Sequence, residues 1–117
     1  MRKTTFIAAL TVLLLPHLAL AQVPAGDAAR GKATYMKNMC YTCHGTAGQG
    51  GDRGSGPRIA YDVWPWEAFA QQIRRPRQTM PRYDRAHLGD ADLADIYAYV
   101  GSVKSGAKAK DIPLLKD

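Results

Sequence analysis

The chain has 117 residues, with 16 lysines and arginines against 10 aspartates and glutamates, so its formal net charge is +6 at neutral pH. The basic residues are spread along the chain without an interleaved aromatic patch or a binding motif, which argues against nucleic acid as a partner. This length provides one domain with a modest core.

The first predicted element is an export signal. Arg2 and Lys3 precede an apolar run from Phe6 to Leu15, and Ala19-Leu20-Ala21 forms a small-x-small cleavage site. The uninterrupted apolar run is well below the roughly 20 residues that a membrane-spanning helix needs. No later segment approaches that length.

We therefore predict a signal peptide over residues 1–21 and a single domain over residues 22–117 that ends in a short C-terminal tail. The mature protein is expected in the periplasm, with no membrane span after cleavage. Removal of Arg2 and Lys3 leaves 14 basic and 10 acidic residues, so the mature surface is mildly basic.

The first helix of the mature chain is predicted from about Asp27 to Asn38. Asp27 can cap its amino end, while Gly31, Tyr35 and Met39 recur at a helical period and would line one face. A glycine inside a helix costs roughly 1 kcal/mol relative to alanine. Its presence at position 31 indicates that another element packs closely there.

Residues 40–44 read Cys40-Tyr41-Thr42-Cys43-His44. This is the spacing at which two thiols add across the vinyl groups of a haem while the histidine that follows ligates the iron. Two other hypotheses share these residues. A structural zinc site usually needs four nitrogen or sulfur ligands, and the chain has no third cysteine. A thioredoxin-like redox pair normally follows a strand, whereas an amphipathic helix precedes this motif.

Gly45 to Pro57 is a glycine-rich stretch that predicts a flexible connection in its middle. A second helix is predicted from near Trp64, with Pro65 at its first helical position, and Pro76 stops it. A third helix begins at Asp90 as the cap. Its apolar residues recur at helical spacing and are Leu93, Ile96, Tyr97, Val100 and Val103.

A haem iron held by His44 needs a sixth ligand, and methionine sulfur is a soft donor that raises the reduction potential. Met36 and Met39 lie just before the motif and are predicted to be core residues. Met80 lies in a polar loop after a proline-terminated helix and is followed by Pro81, so it is the preferred candidate. His87 is the competing ligand, and its alternative role is that of a surface residue.

Taken together, these segments resemble a class I monohaem cytochrome c of the small periplasmic bacterial type. The resemblance is carried by Cys40 to Gly45, by Gly56-Pro57-Arg58-Ile59, by Met80-Pro81 and by Leu93 to Val100. It implies a small all-α cytochrome c fold, in which the first and last helices cross around one covalently bound haem c. Cys40 and Cys43 would attach that haem, and His44 and Met80 would ligate its iron.

The resemblance also implies two contacts. Gly31 and Tyr35 would meet Ile96 and Tyr99 where the helices cross. The carbonyl group of Pro57 would accept a hydrogen bond from the second ring nitrogen of the proximal histidine and fix its tautomer.

The function implied is transfer of single electrons, without catalysis by the protein itself. Its expected partners are redox proteins, namely a periplasmic dehydrogenase, a downstream oxidase or another cytochrome. A haem enzyme or gas sensor with an open sixth position is the alternative.

The sequence leaves the roles of two surface features undecided. The arginines near Met80 could steer an acidic partner or form a solvated face, and they are Arg74, Arg75, Arg77, Arg82 and Arg85. The apolar tail Ile112-Pro113-Leu114-Leu115 could fold back on its own surface or contact another subunit.

Overall fold

The computed structural model describes residues 22–106 and 109–115, and the predicted signal peptide lies outside them. The helices are α1 (Ala28–Lys37), α2 (Tyr41–His44), α3 (Trp66–Arg74) and α4 (Asp90–Ser102), with 3-10 turns at Asp52–Gly54, Ala109–Asp111 and Pro113–Leu115. The described residues contain no strand, and the prediction of an all-α domain is confirmed. None of the helices in these ranges combines the length and the apolar character that crossing a membrane requires.

Helix α1 begins as its sequence predicts. The Asp27 carboxylate accepts a hydrogen bond of 2.7 Å from the backbone N–H of Arg30, which satisfies one of the free donors of the first turn. Lys37 lies in the last turn, where a positive charge suits the helix dipole.

The boundaries of the other two long helices differ from the prediction. Pro65 has extended backbone angles and precedes α3 rather than opening it. Asp90 is the first residue of α4, and Gly89 takes the cap position without a side-chain hydrogen bond. The Asp90 carboxylate is instead bound by Arg74 and Arg85, so it does not cap the backbone. Val103 lies beyond the end of α4 in an extended conformation.

The main helix contact joins α1 to α4 through Gly31. A Cβ atom at this position would overlap the carbonyl group of Asp95 and would lie 2.9 Å from the Cβ of Tyr99. The rings of Tyr35 and Tyr99 meet edge-on beside it, with centroids 5.5 Å apart. The absence of a side chain at Gly31 therefore allows the backbones of α1 and α4 to approach each other closely.

An ion pair reinforces this contact. The buried Asp95 carboxylate accepts hydrogen bonds from the Arg30 guanidinium at 2.8 and 2.9 Å and from the backbone N–H of Asp27 at 2.6 Å. The hydrogen bonds from Arg30, and then the one from Asp27, lower the pKa of Asp95. Asp95 is thus ionised at neutral pH and links the start of α1 to α4.

The core lies between α1, α3 and α4. Its buried members are Tyr35, Phe69, Ile73, Leu88, Leu93, Ile96, Tyr99 and Val100. Tyr97 is only half-buried and meets the rings of Trp66 and Phe69 edge-on. The prediction that Met36 and Met39 are core residues is wrong, because their exposed fractions are 36% and 57%. Met36 lies in the last turn of α1, and Met39 lies beyond the end of that helix.

Alanine at position 31 tests the close approach. We expect Gly31→Ala to lower the free energy of unfolding by about 1–3 kcal/mol, because the new methyl group would push α1 off α4. Gly101→Ala is the matched control, since it lies in α4 with open space around it, and it should raise stability by up to about 1 kcal/mol. Urea unfolding of the haem-loaded protein measures both changes. Equal effects of the two substitutions would contradict this packing.

The Asp95 ion pair predicts a dependence of stability on pH. The folded-state pKa of Asp95 is lowered, so its contribution is complete above the unfolded-state pKa of about 3.9 and disappears as the pH falls through the folded-state value. Wild type should therefore exceed Asp95→Asn in unfolding free energy at pH 7, and the difference should shrink in acid. Asp52→Asn, at a carboxylate that is 94% exposed, is the control and should show no such trend.

Candidate haem site

The motif that follows α1 folds into the single turn of α2. The backbone N–H of His44 donates to the carbonyl group of Cys40 at 3.0 Å, which sets Cys40, Cys43 and His44 along one helical turn. Cys40 is half-buried and Cys43 is exposed, and both thiols are free. Two separate thiols one turn apart are the arrangement that attachment to two vinyl groups requires.

The ring of His44 is oriented by a backbone carbonyl. Its Nδ1 atom lies 2.8 Å from the carbonyl oxygen of Pro57, and because a carbonyl only accepts, Nδ1 carries the proton. The lone pair is therefore on Nε2, which is the atom left to bind a metal. The contact that the family resemblance implies between these two residues is present.

The glycine-rich segment is held against the motif. Gly45 has a φ of +77°, which turns the chain out of α2, and the backbone N–H of Gly50 returns to the carbonyl group of His44 at 2.8 Å. A Cβ atom at Gly56 would lie 2.5 Å from the carbonyl oxygen of Cys43. These contacts explain why the segment is glycine-rich, and they replace the predicted flexible connection with a close-fitting turn.

Two buried tyrosines hold the chain that follows His44, a role that the sequence analysis missed. The Tyr35 hydroxyl donates to the carbonyl group of Gly45 at 2.7 Å, and the Tyr99 hydroxyl donates to that of Thr46 at 2.7 Å. Burial is the main cause that raises the pKa of both hydroxyls, so they stay protonated donors. The sequence did hold one sign of this role, because a tyrosine on a buried helix face, unlike a phenylalanine, needs a hydrogen-bond partner for its hydroxyl.

A cavity of about 450 Å³ lies beside the motif. Cys40, Cys43, His44 and Met80 all line it, so the structure brings the four sequence-predicted site residues to one place. Its wall is mainly apolar and includes Tyr35, Ile59, Phe69, Ile73, Leu88 and Ile96. Small-molecule sites typically have volumes of about 300–1,000 Å³ with apolar walls and few polar groups.

Met80 is half-buried at this cavity, and its sulfur has a polar neighbour. Gln72 Nε2 lies 3.7 Å from Met80 Sδ and donates a weak hydrogen bond to it. Gln72 also lines the cavity, and its role was not predicted because neither of the adjacent glutamines Gln71 and Gln72 forms a distinctive pattern in an amphipathic helix.

His87, the competing ligand, does not line the cavity. Its side chain is 78% exposed, and Nδ1 lies 2.8 Å from a carboxylate oxygen of Asp84. His87 is therefore a surface residue, which was the alternative to its role as a ligand.

The two tryptophans differ in position. Trp64 lines the cavity although its exposed fraction is 54%, whereas Trp66 packs against Tyr97 away from the cavity. Trp64 is therefore a partly exposed residue of the lining, while Trp66 stabilises the contact of α3 with α4.

The structure also bears on the two rival hypotheses for the motif. Burial raises the pKa of the Cys40 thiol to about 11, whereas the attacking cysteine of a thiol–disulfide protein usually has a lowered pKa. Helix α1, rather than a strand, precedes the motif. In the ranges 22–106 and 109–115, no three histidine, cysteine, aspartate or glutamate side chains are grouped as a metal site.

The residues at the cavity fit a haem. The donor set consists of two thiols at attachment spacing, an imidazole whose Nε2 is free and a thioether, which are the groups that hold haem in His/Met cytochromes. The apolar wall suits a porphyrin face.

Comparison with known families agrees with this geometry. The family model described as cytochrome c oxidase, cbb3-type, subunit III matches residues 26–100, which is more than half of the chain. The chain belongs to this cytochrome c family. The match supports a monohaem class I-type cytochrome c, so the recognition made from the sequence is confirmed. No curated protein sequence matches the chain. The matched region of the cytochrome includes α1, the attachment motif, Met80 and most of α4.

Proposed function

We propose that this cytochrome carries single electrons through one haem c that is attached to Cys40 and Cys43 and is ligated by His44 and Met80. Haem-based electron transfer follows from the family itself. The observation that supports the finer proposal is the presence of all four side chains at one apolar cavity. The haem supplies the one-electron change of its iron, and the protein supplies its attachment, orientation and enclosure.

The roles of the individual residues follow from their positions. The Pro57 carbonyl holds His44 in the tautomer that presents Nε2. The sulfur of Met80 is a neutral donor that favours the ferrous form, and the apolar wall disfavours the additional charge of the ferric form. With Met80 as the sixth ligand, the haem iron would have no free position for oxygen or peroxide, and the protein would act as a carrier rather than as a haem enzyme or gas sensor.

A periplasmic location is part of the proposal. Its support is the sequence of residues 1–21, with two basic residues, an apolar run and a small-x-small cleavage site. Covalent haem attachment and electron exchange with other exported redox proteins would then take place in one compartment. We propose a dehydrogenase, an oxidase or another cytochrome as the partner.

One experiment tests the covalent attachment of the haem and the ligation of its iron by Met80. The protein exported by a bacterial host that makes c-type cytochromes should exceed its amino-acid mass by one haem, and Cys40→Ser with Cys43→Ser should abolish the excess. Oxidised wild type should show the weak near-infrared sulfur-to-iron band. Met80→Ala should lose this band and bind carbon monoxide rapidly when reduced, because its sixth position would be open.

Met36→Ala is the matched control, since Met36 is an exposed methionine that does not line the cavity. It should keep the band and resist carbon monoxide. An unchanged spectrum in Met80→Ala would exclude the proposed ligand, and rapid carbon monoxide binding by wild type would favour the sensor or enzyme. A mass equal to that of the polypeptide alone would exclude covalent attachment.

The five arginines predicted to lie near Met80 differ in their contacts, and Arg75 and Arg82 are exposed. Arg74 and Arg85 are bound to Asp90 at 2.7 and 2.9 Å, so they serve the fold. Arg58, which was outside that set, joins Arg77 at the cavity lining. We propose that Arg58 and Arg77 attract an anionic electron-transfer partner to the cavity, which would raise the encounter rate more than the affinity.

Small redox reagents of opposite charge test this attraction. The rate of oxidation by hexacyanoferrate should fall as salt rises from 10 mM to 0.5 M, and the rate with hexaammineruthenium should not fall, because screening removes only attraction. Arg58→Gln with Arg77→Gln should flatten the salt dependence by about one half. Arg53→Gln, at a side chain that is 93% exposed, is the control away from the cavity lining. The same slope in all variants would contradict a localised attraction.

A further inference from the structure

Residues 75–89 connect α3 to α4 and contain Met80, and we call them the methionine loop. Contacts with α3 close this loop at its base. The backbone N–H of Tyr83 donates to the carbonyl group of Ile73 at 3.2 Å, and Arg74 Nη1 donates to the carbonyl group of Tyr83 at 3.1 Å. Both backbone groups of Tyr83 are thus bonded to the last turn of α3. We use the term neck for these three residues, Ile73, Arg74 and Tyr83.

Arg74 connects the neck to the rest of the loop. Its side chain is only 13% exposed, and it also donates to the carbonyl group of Leu88 at 2.7 Å and to the carboxylate of Asp90 at 2.7 Å. A lysine has no planar fork with which to reach these acceptors together. One guanidinium therefore fixes the course of the chain from Tyr83 to the start of α4.

Tyr83 connects the neck to the segment of the attachment motif. Its hydroxyl donates to the carbonyl group of Asn38 at 3.0 Å, across 45 residues of sequence. Asn38 ends α1, and Cys40 lies two residues beyond it. A single tyrosine thus spans from the methionine loop to the residues beside the first attachment cysteine.

We propose that Tyr83 and Arg74 are positioning residues that keep the methionine loop closed over the cavity, so that an external ligand binds only after the neck opens. This proposal rests on the proposed role of Met80 as a ligand. In this proposal, Tyr83 and Arg74 control the access of external ligands to the sixth coordination position. Neither residue has to contact a ligand for this effect.

The expected size follows from the linkage between opening and binding. An external ligand that binds only the open form has an apparent affinity reduced by the small fraction of molecules that are open. Loss of the partly buried hydrogen bond between the Tyr83 hydroxyl and the Asn38 carbonyl group should increase that fraction about two- to tenfold. The apparent affinity for the external ligand should rise by the same factor.

The test is an imidazole titration of the oxidised, haem-loaded protein, with loss of the sulfur-to-iron band as the signal. Tyr83→Phe removes only the hydroxyl and should bind imidazole about two- to tenfold more tightly than wild type. Tyr97→Phe is the matched control, because its hydroxyl also donates to a backbone carbonyl, that of Trp64 at 3.0 Å, but lies outside the neck. Its affinity for imidazole should equal that of wild type.

A second pair of variants examines Arg74. Arg74→Lys keeps the charge but cannot serve all three acceptors, so it should also increase the affinity for imidazole, by at least as much as Tyr83→Phe. Arg85→Gln is its control, since Arg85 is bound to the same Asp90 but donates to no carbonyl of the neck. Circular dichroism of each variant before titration shows whether the helices are retained.

The outcomes separate this inference from the proposed function. A wild-type spectrum without the sulfur-to-iron band would overturn Met80 ligation and this inference with it. A normal wild-type band together with equal imidazole affinities in Tyr83→Phe, Tyr97→Phe and wild type would overturn the inference alone. A tighter affinity in Tyr83→Phe and Arg74→Lys, with both controls unchanged, would establish the neck as the element that controls access.

Discussion

The close approach of α1 to α4 at Gly31 is the constraint on which the remaining structure depends. With no side chain at this position, the Asp95 backbone lies against α1, and the Arg30 guanidinium reaches the Asp95 carboxylate. The same approach aligns Tyr35 and Tyr99 so that their hydroxyls bind the two residues after His44. The haem site is therefore oriented by the helix contact, because the chain that leaves the attachment motif is bonded directly to both helices.

The two sides of the cavity are built by different means. The side of His44 depends on short-range turns, in which glycines allow the chain to return and bring the Pro57 carbonyl to the imidazole. The side of Met80 depends on long side chains that reach across the loop from α3. The Met80 side also has one backbone hydrogen bond, from Tyr83 to Ile73, but its other contacts are side-chain hydrogen bonds, which are individually weak.

Much of the fold and the site could be predicted from the sequence, because local patterns determine them. Asp27 caps α1, the spacing of Leu93, Ile96 and Val100 marks the buried face of α4, and the attachment motif is specific. Helix α4 starts at Asp90 as predicted, but Asp90 does not cap it, because its carboxylate is bound by Arg74. The hydrogen bonds of Tyr83 and Gln72 join residues distant in sequence or without a pattern, so sequence periodicity could not reveal them.

The pairing of α1 with α4 affects the order in which the polypeptide folds. The contact between Arg30 and Asp95 spans 65 positions of the chain, so α1 has no partner until α4 has been synthesised. Folding that waits on such remote contacts proceeds as one late event rather than by stepwise growth. Cys40 packs against the core that α4 helps to build, so its partly buried environment also forms only after α4 is in place.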